Sequence, residues 1–362
     1  MSLSLIDLSQ TSSQTRSKFN PESSSNAKLL KKWDAYVESH EQGSIYHLSA
    51  WQSLIKEQFG HNSYYLYSED ENNSINGLLP IVQLKSKLFG NYMVSVPYFN
   101  YGGTIASDED ISTSLMNKAG EVAKQHSASH IEFRDLQNYK GDWGLREDKV
   151  VMLLDLPTEV DTLWKDIGTK VRAQVKRPKR EPVSTKRGGL DLLDDFYQVF
   201  AQNMRDLGTP VYSKSFFKSI LETFPESAHI VCVYHNDIPA AAGFLIGYKN
   251  RMEIPWASAL REHNKISVNM LLYWEVLSYS IEQGYAQFDF GRSTINAGTY
   301  RFKKQWGAKP TQLYWHYWLD EGQDVPKMNP DNPKYKLVIG IWQKLPVWLT
   351  KIIGPPIVKN LP

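Results

Sequence analysis

The sequence predicts an α/β protein made of two domains that share one plan, each a mixed β-sheet flanked by helices. Three observations carry this. Helix-period and strand-period apolar patterns alternate along the chain. One order of elements (two helices, a hairpin, a strand, a helix, a strand) occurs twice. Each occurrence closes on a strand that ends in charge, HIEFRD at His130–Asp135 and QFDFGR at Gln287–Arg292. A repeat of that length is a duplicated domain and not a solenoid, and 362 residues suit two domains.

The opening 1–26 is rich in Ser, Thr, Gln and Asn and is expected to be a disordered leader. The first domain is expected over 27–158. Leu29, Leu30, Trp33, Tyr36 and Val37 mark a helix over Ala27–Ser39, and Trp51, Leu54, Ile55 and Phe59 mark another near Ser49–Phe59, with Ser49 as N-cap. A hairpin follows, Tyr64–Tyr67 against Gly77–Leu84, with the polar run Glu69–Asn76 as its turn. Tyr92–Pro97 reads as a strand, Tyr98–Gly103 as a Gly-rich aromatic loop, Ile111–His126 as a helix and His130–Asp135 as the closing strand.

A basic linker is expected over 159–190. Between Lys165 and Arg187 it holds nine Lys or Arg and only Asp166 and Glu181 as acids. Arg172, Lys176 and Arg177 lie on a possible short helix ended by Pro178, and such a cluster suits phosphate groups; a solvated charged face is the alternative. The second domain, 191–320, repeats the plan. Helices are expected near Asp194–Asp206 and Ser215–Thr223, a hairpin at His229–Tyr234 and Pro239–Tyr248, a strand at Arg251–Ala259, a helix over Ser267–Gln283 capped by Ser267 and Gly284, and the strand of QFDFGR. The tail, 321–362, ends in an amphipathic helix with a kink at Pro346. Packing on a domain face and lying on a membrane surface with lysines at the rim are its two possible fates.

Composition narrows the function. Net charge is +2, so a basic site must be local, and no recognition motif for DNA surrounds the basic cluster. The single Cys232 sits in the apolar run HIVCVY and reads as a buried small hydrophobe in a protein of a reducing compartment. No apolar run reaches the ~18 residues of a membrane span and the opening stretch lacks the basic region and long apolar core of a signal peptide, so a cytoplasmic protein is expected, with the inner membrane face left open.

The chemistry is expected in Gln287–Pro310, QFDFGRSTINAGTYRFKKQWGAKP. Phe288 and Phe290 alternate with Gln287 and Asp289 in a strand that leaves the sheet at Gly291 and Arg292. A polar loop leads to Tyr300–Lys304, a run of alternating aromatic and basic residues. Asp289, Arg292 and the lysines thus gather at the carboxyl end of a strand, where open α/β sheets bind ligands. An Asp–Arg salt bridge in a plain corner is the alternative.

These stretches resemble the Fem family of peptidoglycan-bridge aminoacyltransferases, which have two tandem GNAT-like acyltransferase domains. The resemblance runs from about Trp33 to Trp318 and is most specific at VKRP (Val175–Pro178), FDFG (Phe288–Gly291) and YRFK (Tyr300–Lys303). YHLSAW (Tyr46–Trp51), GHNSYYL (Gly60–Leu66), YGG (Tyr101–Gly103), LGTPV (Leu207–Val211) and NPDNPKYKL are similar, further, to Fem-like proteins associated with exosortase and exopolysaccharide systems.

The resemblance implies acyl or aminoacyl transfer to an amine without a metal or covalent enzyme intermediate. Lys303 would stabilise charge near the reacting carbonyl or donor phosphate, with Lys304 beside it and Tyr300 in the substrate site. Asp289 would orient the amine or take its proton, and Arg292 would assist or fix the loop. The donor, aminoacyl-tRNA or acyl-CoA, would be a co-substrate and not a bound cofactor. The acceptor would be an amine on an envelope, peptidoglycan-like or exopolysaccharide precursor, its diphosphate held near Lys56 or Tyr212–Lys214. Coenzyme A sites in this fold use a glycine-containing loop opening a helix, whereas Leu260–Trp274 has no glycine; this favours the tRNA donor, although no heptad arm is present. An acetyl-CoA-dependent N-acetyltransferase and a non-catalytic scaffold for envelope assembly are the rival readings.

Overall fold

The structure, a computed structural model, describes residues 2–7, 25–326 and 333–361. The chain divides into two units. The first comprises Met1–Lys149, Gln312–Pro326 and Asn360–Pro362, and the second Val150–Thr311 and Lys327–Lys359.

In the first unit the strands are β1 (Ser2–Asp7), β2 (Asn62–Glu69), β3 (Ile75–Ser86), β4 (Gly90–Val94), β5 (Ile105–Ala106), β6 (His130–Asp135), β7 (Gly144–Arg146) and, from late in the chain, β15 (Tyr314–Leu319). They form one sheet in the order β1-β2-β3-β4-β6-β15-β7, with β5 alongside β3. Helices α1 (Ser25–Ser39), α2 (Ala50–Phe59) and α3 (Glu109–Gln125) flank it. Helix α3 shows why the pattern folds this way. Asp108 caps it by accepting from the Ile111 N–H. Ile111, Leu115, Met116, Ala119, Val122 and Ala123 form its apolar stripe, which packs on Tyr64, Leu79, Ile81, Met93 and Phe133 of the sheet. Each large side chain buried there contributes about 1.5–3 kcal/mol before entropy is set against it.

The second unit carries β8 (Val150–Asp155), β9 (Val183–Gly188), β10 (Ala228–His235), β11 (Ile238–Tyr248), β12 (Arg251–Ala259), β13 (Gln287–Ser293) and β14 (Lys309–Gln312) in the order β14-β8-β13-β12-β11-β10-β9. Its helices are α4 (Val160–Asp166), α5 (Thr169–Lys176), α6 (Leu193–Leu207), α7 (Lys214–Thr223), α8 (Val268–Glu282), α9 (Gly298–Lys304), α10 (Pro333–Trp342) and α11 (Val347–Val358). Strand alternation divides the core into two layers. Val231 and Val233 join a cluster with Val171 and Val175 of α5 and Leu271, Leu272 and Val276 of α8. Phe244 faces Phe196 and Phe217 of α6 and α7, with ring centroids 5.4 and 5.5 Å away. Cys232 is fully buried, and burial pushes its thiol up to about 12, so it is a core residue and not a nucleophile.

Several expectations change. Ser2–Asp7 of the expected leader is a strand paired antiparallel with β2; residues 8–24 lie outside the described residues. The segment expected as a linker, 159–190, belongs to the second unit, where Val183–Gly188 pairs with β10. This edge strand, VSTKRG, carries one apolar residue, Val183, so its half-buried positions leave no apolar alternation in the sequence. Tyr314–Leu319, expected in the second domain, pairs with β6 of the first unit. Tyr300–Lys304 lies on a helix. The tail is two helices with 343–346 between them, and Pro346 precedes the second; part of its Pro/Asn loop, 327–332, lies outside the described residues. Neither serine cap forms through its hydroxyl. The Ser49 hydroxyl donates to Asp34, and Ser267 takes a left-handed backbone at φ +63°.

Candidate active site

The site of the second unit begins with a break in a ladder. Strands β12 and β13 run parallel and pair at Arg251–Gln287, Met252–Phe288 and Glu253–Asp289. Pairing stops there, although the strands continue to Ala259 and Ser293. Among the described residues β12 and β13 share no rung beyond Glu253–Asp289, and Pro255, Trp256 and Ala257 of β12 are half-buried. On its other side β13 pairs with β8, and the register slips between Asp289 and Arg292. Gly291 sits in that bulge at φ +75°, a conformation that glycine adopts without Cβ strain. The bulge turns the end of β13 away from a regular strand and brings its carbonyls within reach of α9.

Lys303 uses that opening. It lies on α9, is 7% exposed, and its Nζ donates to the carbonyls of Gly291 at 3.0 Å and Arg292 at 2.8 Å. Burial lowers its ammonium from the ordinary 10.5 to about 8; Asp289 and Glu253 oppose the change and Arg292 adds to it. Asp289 is fully buried, and its Oδ1 accepts from the Gly291 N–H at 2.6 Å. Glu253, 4% exposed, stands opposite Asp289 on the last rung. One buried amine therefore interacts with two buried carboxylates at the point where the strands part. Ser293 adds a buried hydroxyl with no hydrogen-bond partner among the described residues. Tyr273 of α8 backs the site, 5.6 Å from Phe290 and 4.9 Å from Phe302 between ring centroids.

The other expected residues are placed differently. Arg292 is exposed, and its carbonyl, on the main chain, meets Lys303. Lys304 is exposed, 6.0 Å from the centre of the half-buried Tyr300 ring. The Nη1 of Arg172 donates to the carbonyls of Trp164, Lys165 and Ile167, so it satisfies the end of α4. Lys176 lies 5.5 Å from the Trp164 ring centre, and Arg177 is exposed. Lys56 is an exposed residue of the first unit that donates to Asn62. Within the second unit the geometry brings together Lys303, Asp289 and the backbone of Arg292, and it does not gather Arg172 into that group. Sequence reading missed Glu253 and Ser293. A carboxylate between Met252 and Ile254 in an apolar strand was the available signal, since a buried charge needs a partner.

Comparison with known proteins agrees with this reading of the fold. A family model described as an acetyltransferase (GNAT) domain matches residues 169–304. No curated protein matches by sequence. Among solved structures, that of FemX superposes with a TM-score of 0.63 at 15% identity, covering 86% of this chain and 98% of that one. A tandem GNAT protein from the clavulanic acid biosynthesis pathway gives 0.53 at 12% identity, covering 90% and 100%. The C-terminal domain of a putative lysylphosphatidylglycerol synthetase from Agrobacterium fabrum gives 0.52 at 14%, covering 81% and 92%. At these identities the likeness speaks for the fold. The chain thus has a tandem GNAT-like fold, residues 169–304 carry its GNAT-type acyltransferase domain, and the protein is an acyltransferase.

Proposed function

We propose that the second unit transfers an acyl or aminoacyl group to an amine of a cell-envelope or exopolysaccharide precursor, with Lys303 as the electrostatic catalyst. The observation that carries the catalytic part is the buried Lys303 ammonium beside the parted strands. The stretch of β12 past its last rung with β13 suits an extended, amide-containing donor, which would bond to it as an added strand. The acceptor amine attacks the donor carbonyl. The C=O π electrons pass to oxygen, and the leaving thiolate or ribose oxygen departs as the carbonyl re-forms. Lys303 offsets the developing oxyanion, and its burial makes the interaction stronger than in water. At neutral pH an amine that titrates at about 8 remains mostly protonated, as this role needs. Asp289 and Glu253 are the nearby groups to receive the proton released by the amine.

Both donors stay in the reading. The segment entering α8 lacks glycine, yet Ser267 adopts the left-handed turn there at φ +63°, so the missing glycine does not prevent that backbone shape. The envelope acceptor rests on the FemX-like fold and the sequence resemblance.

The deciding experiment offers labelled aminoacyl-tRNA and acetyl-CoA with a panel of amino-sugar and peptidoglycan-precursor acceptors, and follows amide formation by mass spectrometry. Lys303→Met, which keeps the volume and removes the charge, should lower kcat about 10²–10³-fold while circular dichroism shows the parent's folded state. Full activity in Lys303→Met would remove Lys303 from the mechanism.

A further inference from the structure

The last two helices expose an apolar surface that the fold does not explain. Six of the fifteen exposed large hydrophobic side chains among the described residues lie within 337–352: Leu337, Val338, Ile339, Ile341, Trp348 and Ile352. Helix α11 is apolar on opposite sides. Thr350, Gly354 and Val358, at four-residue steps, are buried, and Gly354 sits so close to Val211 that a Cβ would meet its nitrogen at 2.9 Å. That side packs against α6. On the other side Trp348 and Ile352, also four apart, are each 63% exposed. A helix seated on a water-soluble domain ordinarily turns polar residues outward.

The charges that the tail itself carries are of one sign. From Pro333 to Pro362 there is no Asp or Glu, and there are five lysines: Lys334, Lys336, Lys344, Lys351 and Lys359. The helices have ten and twelve residues, against roughly 20 needed to cross a bilayer, and among the described residues no helix is long and apolar enough to cross a membrane.

We propose that the outer face of α10 and α11 docks on the surface of an anionic lipid bilayer, lying in its interface. Leu337, Val338, Ile341, Trp348 and Ile352 enter the boundary between headgroups and acyl chains, the depth that interfacial helices and tryptophans occupy. Lys344 and the neighbouring lysines meet lipid phosphate. Charge selects this occupant over a second copy of the chain, because a symmetric pairing would set like-charged surfaces against each other. The inference is independent of the catalytic reading, since binding and not turnover is measured.

The test is co-sedimentation of the full chain with phosphatidylcholine vesicles, with and without phosphatidylglycerol. The protein should partition at least about fivefold more strongly onto the anionic vesicles, and less so as salt is raised. The double variant Trp348→Ser/Ile352→Ser should lose about tenfold or more in binding, and Lys344→Glu/Lys351→Glu should lose the preference for phosphatidylglycerol. Trp348, Ile352 and Lys344 are exposed, so the serine variant should melt near the parent; Lys351 is half-buried with its Nζ 5.4 Å from the Tyr197 ring centre, so the melting temperature of the charge-reversal pair is measured alongside as a control for folding. Parent protein that fails to pellet with either vesicle overturns the proposal, as does a double serine variant that pellets like the parent. A concentration-dependent dimer in light scattering, lost in the serine variant and without vesicle binding, would also overturn it and assign the surface to a second copy.

Discussion

The two units meet the same structural problem, a parallel pair of strands that part beyond their last shared rung, and they treat it in opposite ways. In the first unit β4 and β6 pair at Met93–Ile131 and Val94–Glu132, and the chain's own loop then occupies the gap. The N–H groups of Gly102 and Gly103 both donate to the Arg134 carbonyl, and the Thr104 N–H donates to Asp135. The Arg134 side chain donates to Glu132 at 2.7 Å and to the Phe99 carbonyl, and it lies 4.8 Å from the Trp315 ring centre. A cavity of about 10 Å³ remains beside these residues, room for about one water. In the second unit the equivalent rung, Glu253–Asp289, is the last that β12 and β13 share among the described residues, and beside it lie a buried lysine and a Ser293 hydroxyl with no hydrogen-bond partner among those residues. The same topology thus closes into a packed core in one unit and surrounds a buried lysine in the other, where we propose the chemistry. The difference lies in whether buried charge is neutralised by a fixed ion pair and loop or remains beside an open strand edge.

The comparison breaks first at Arg134. Removing it in Arg134→Ala leaves Glu132 buried without its ion-pair partner and should cost about 3–5 kcal/mol of stability, read as a large fall in denaturation midpoint; an unchanged midpoint would show that the first gap is not held by charge. Gly103→Ala sharpens the point by sterics alone. A Cβ there would come within 1.9 Å of an Asp135 carboxylate oxygen, so the substitution should destabilise by about 1–3 kcal/mol, measured by urea titration. The smallest effect belongs to the second gap. Activity that requires the Lys303 ammonium should fall about tenfold per pH unit above about 8, and Lys303→Arg, which stays charged, should move that falling limb to higher pH even at a lower rate. The stability sign is opposite. The folded-state value lies below the unfolded one, so the cost of burying the charged amine applies in full below about 8 and is relieved as pH rises towards 10.5. The parent should therefore gain stability relative to Lys303→Met across that window.

Much of the fold could be read from periodicity, and much of the site could not. Helix α3 announced itself by its apolar stripe, and strand β13 by the alternation of Phe288 and Phe290 with polar neighbours. Lys303 was singled out by the YRFK resemblance, whereas its burial on a helix depends on how α9 returns to the bulge at Gly291. Arg172 looked like a phosphate ligand because sequence shows charge without contacts; three carbonyls at the end of α4 occupy its Nη1. Glu253 lay inside a strand, where its apolar neighbours Met252 and Ile254 hint at burial but do not name the lysine it meets, because that lysine arrives from fifty residues on.

The main helices and strands of each half, the duplicated plan and the gathering of charge after FDFG were determined by sequence alone, because apolar spacing within a short window sets which face of an element leaves water. Only the tertiary structure decided that Val150–Asp155 joins the sheet of the second unit and Tyr314–Leu319 that of the first. It also decided that one gap closes on Arg134 while the other keeps Lys303 beside Glu253 and Asp289. Those choices depend on which residues meet across long stretches of chain, and pairing at a distance leaves no mark in local periodicity.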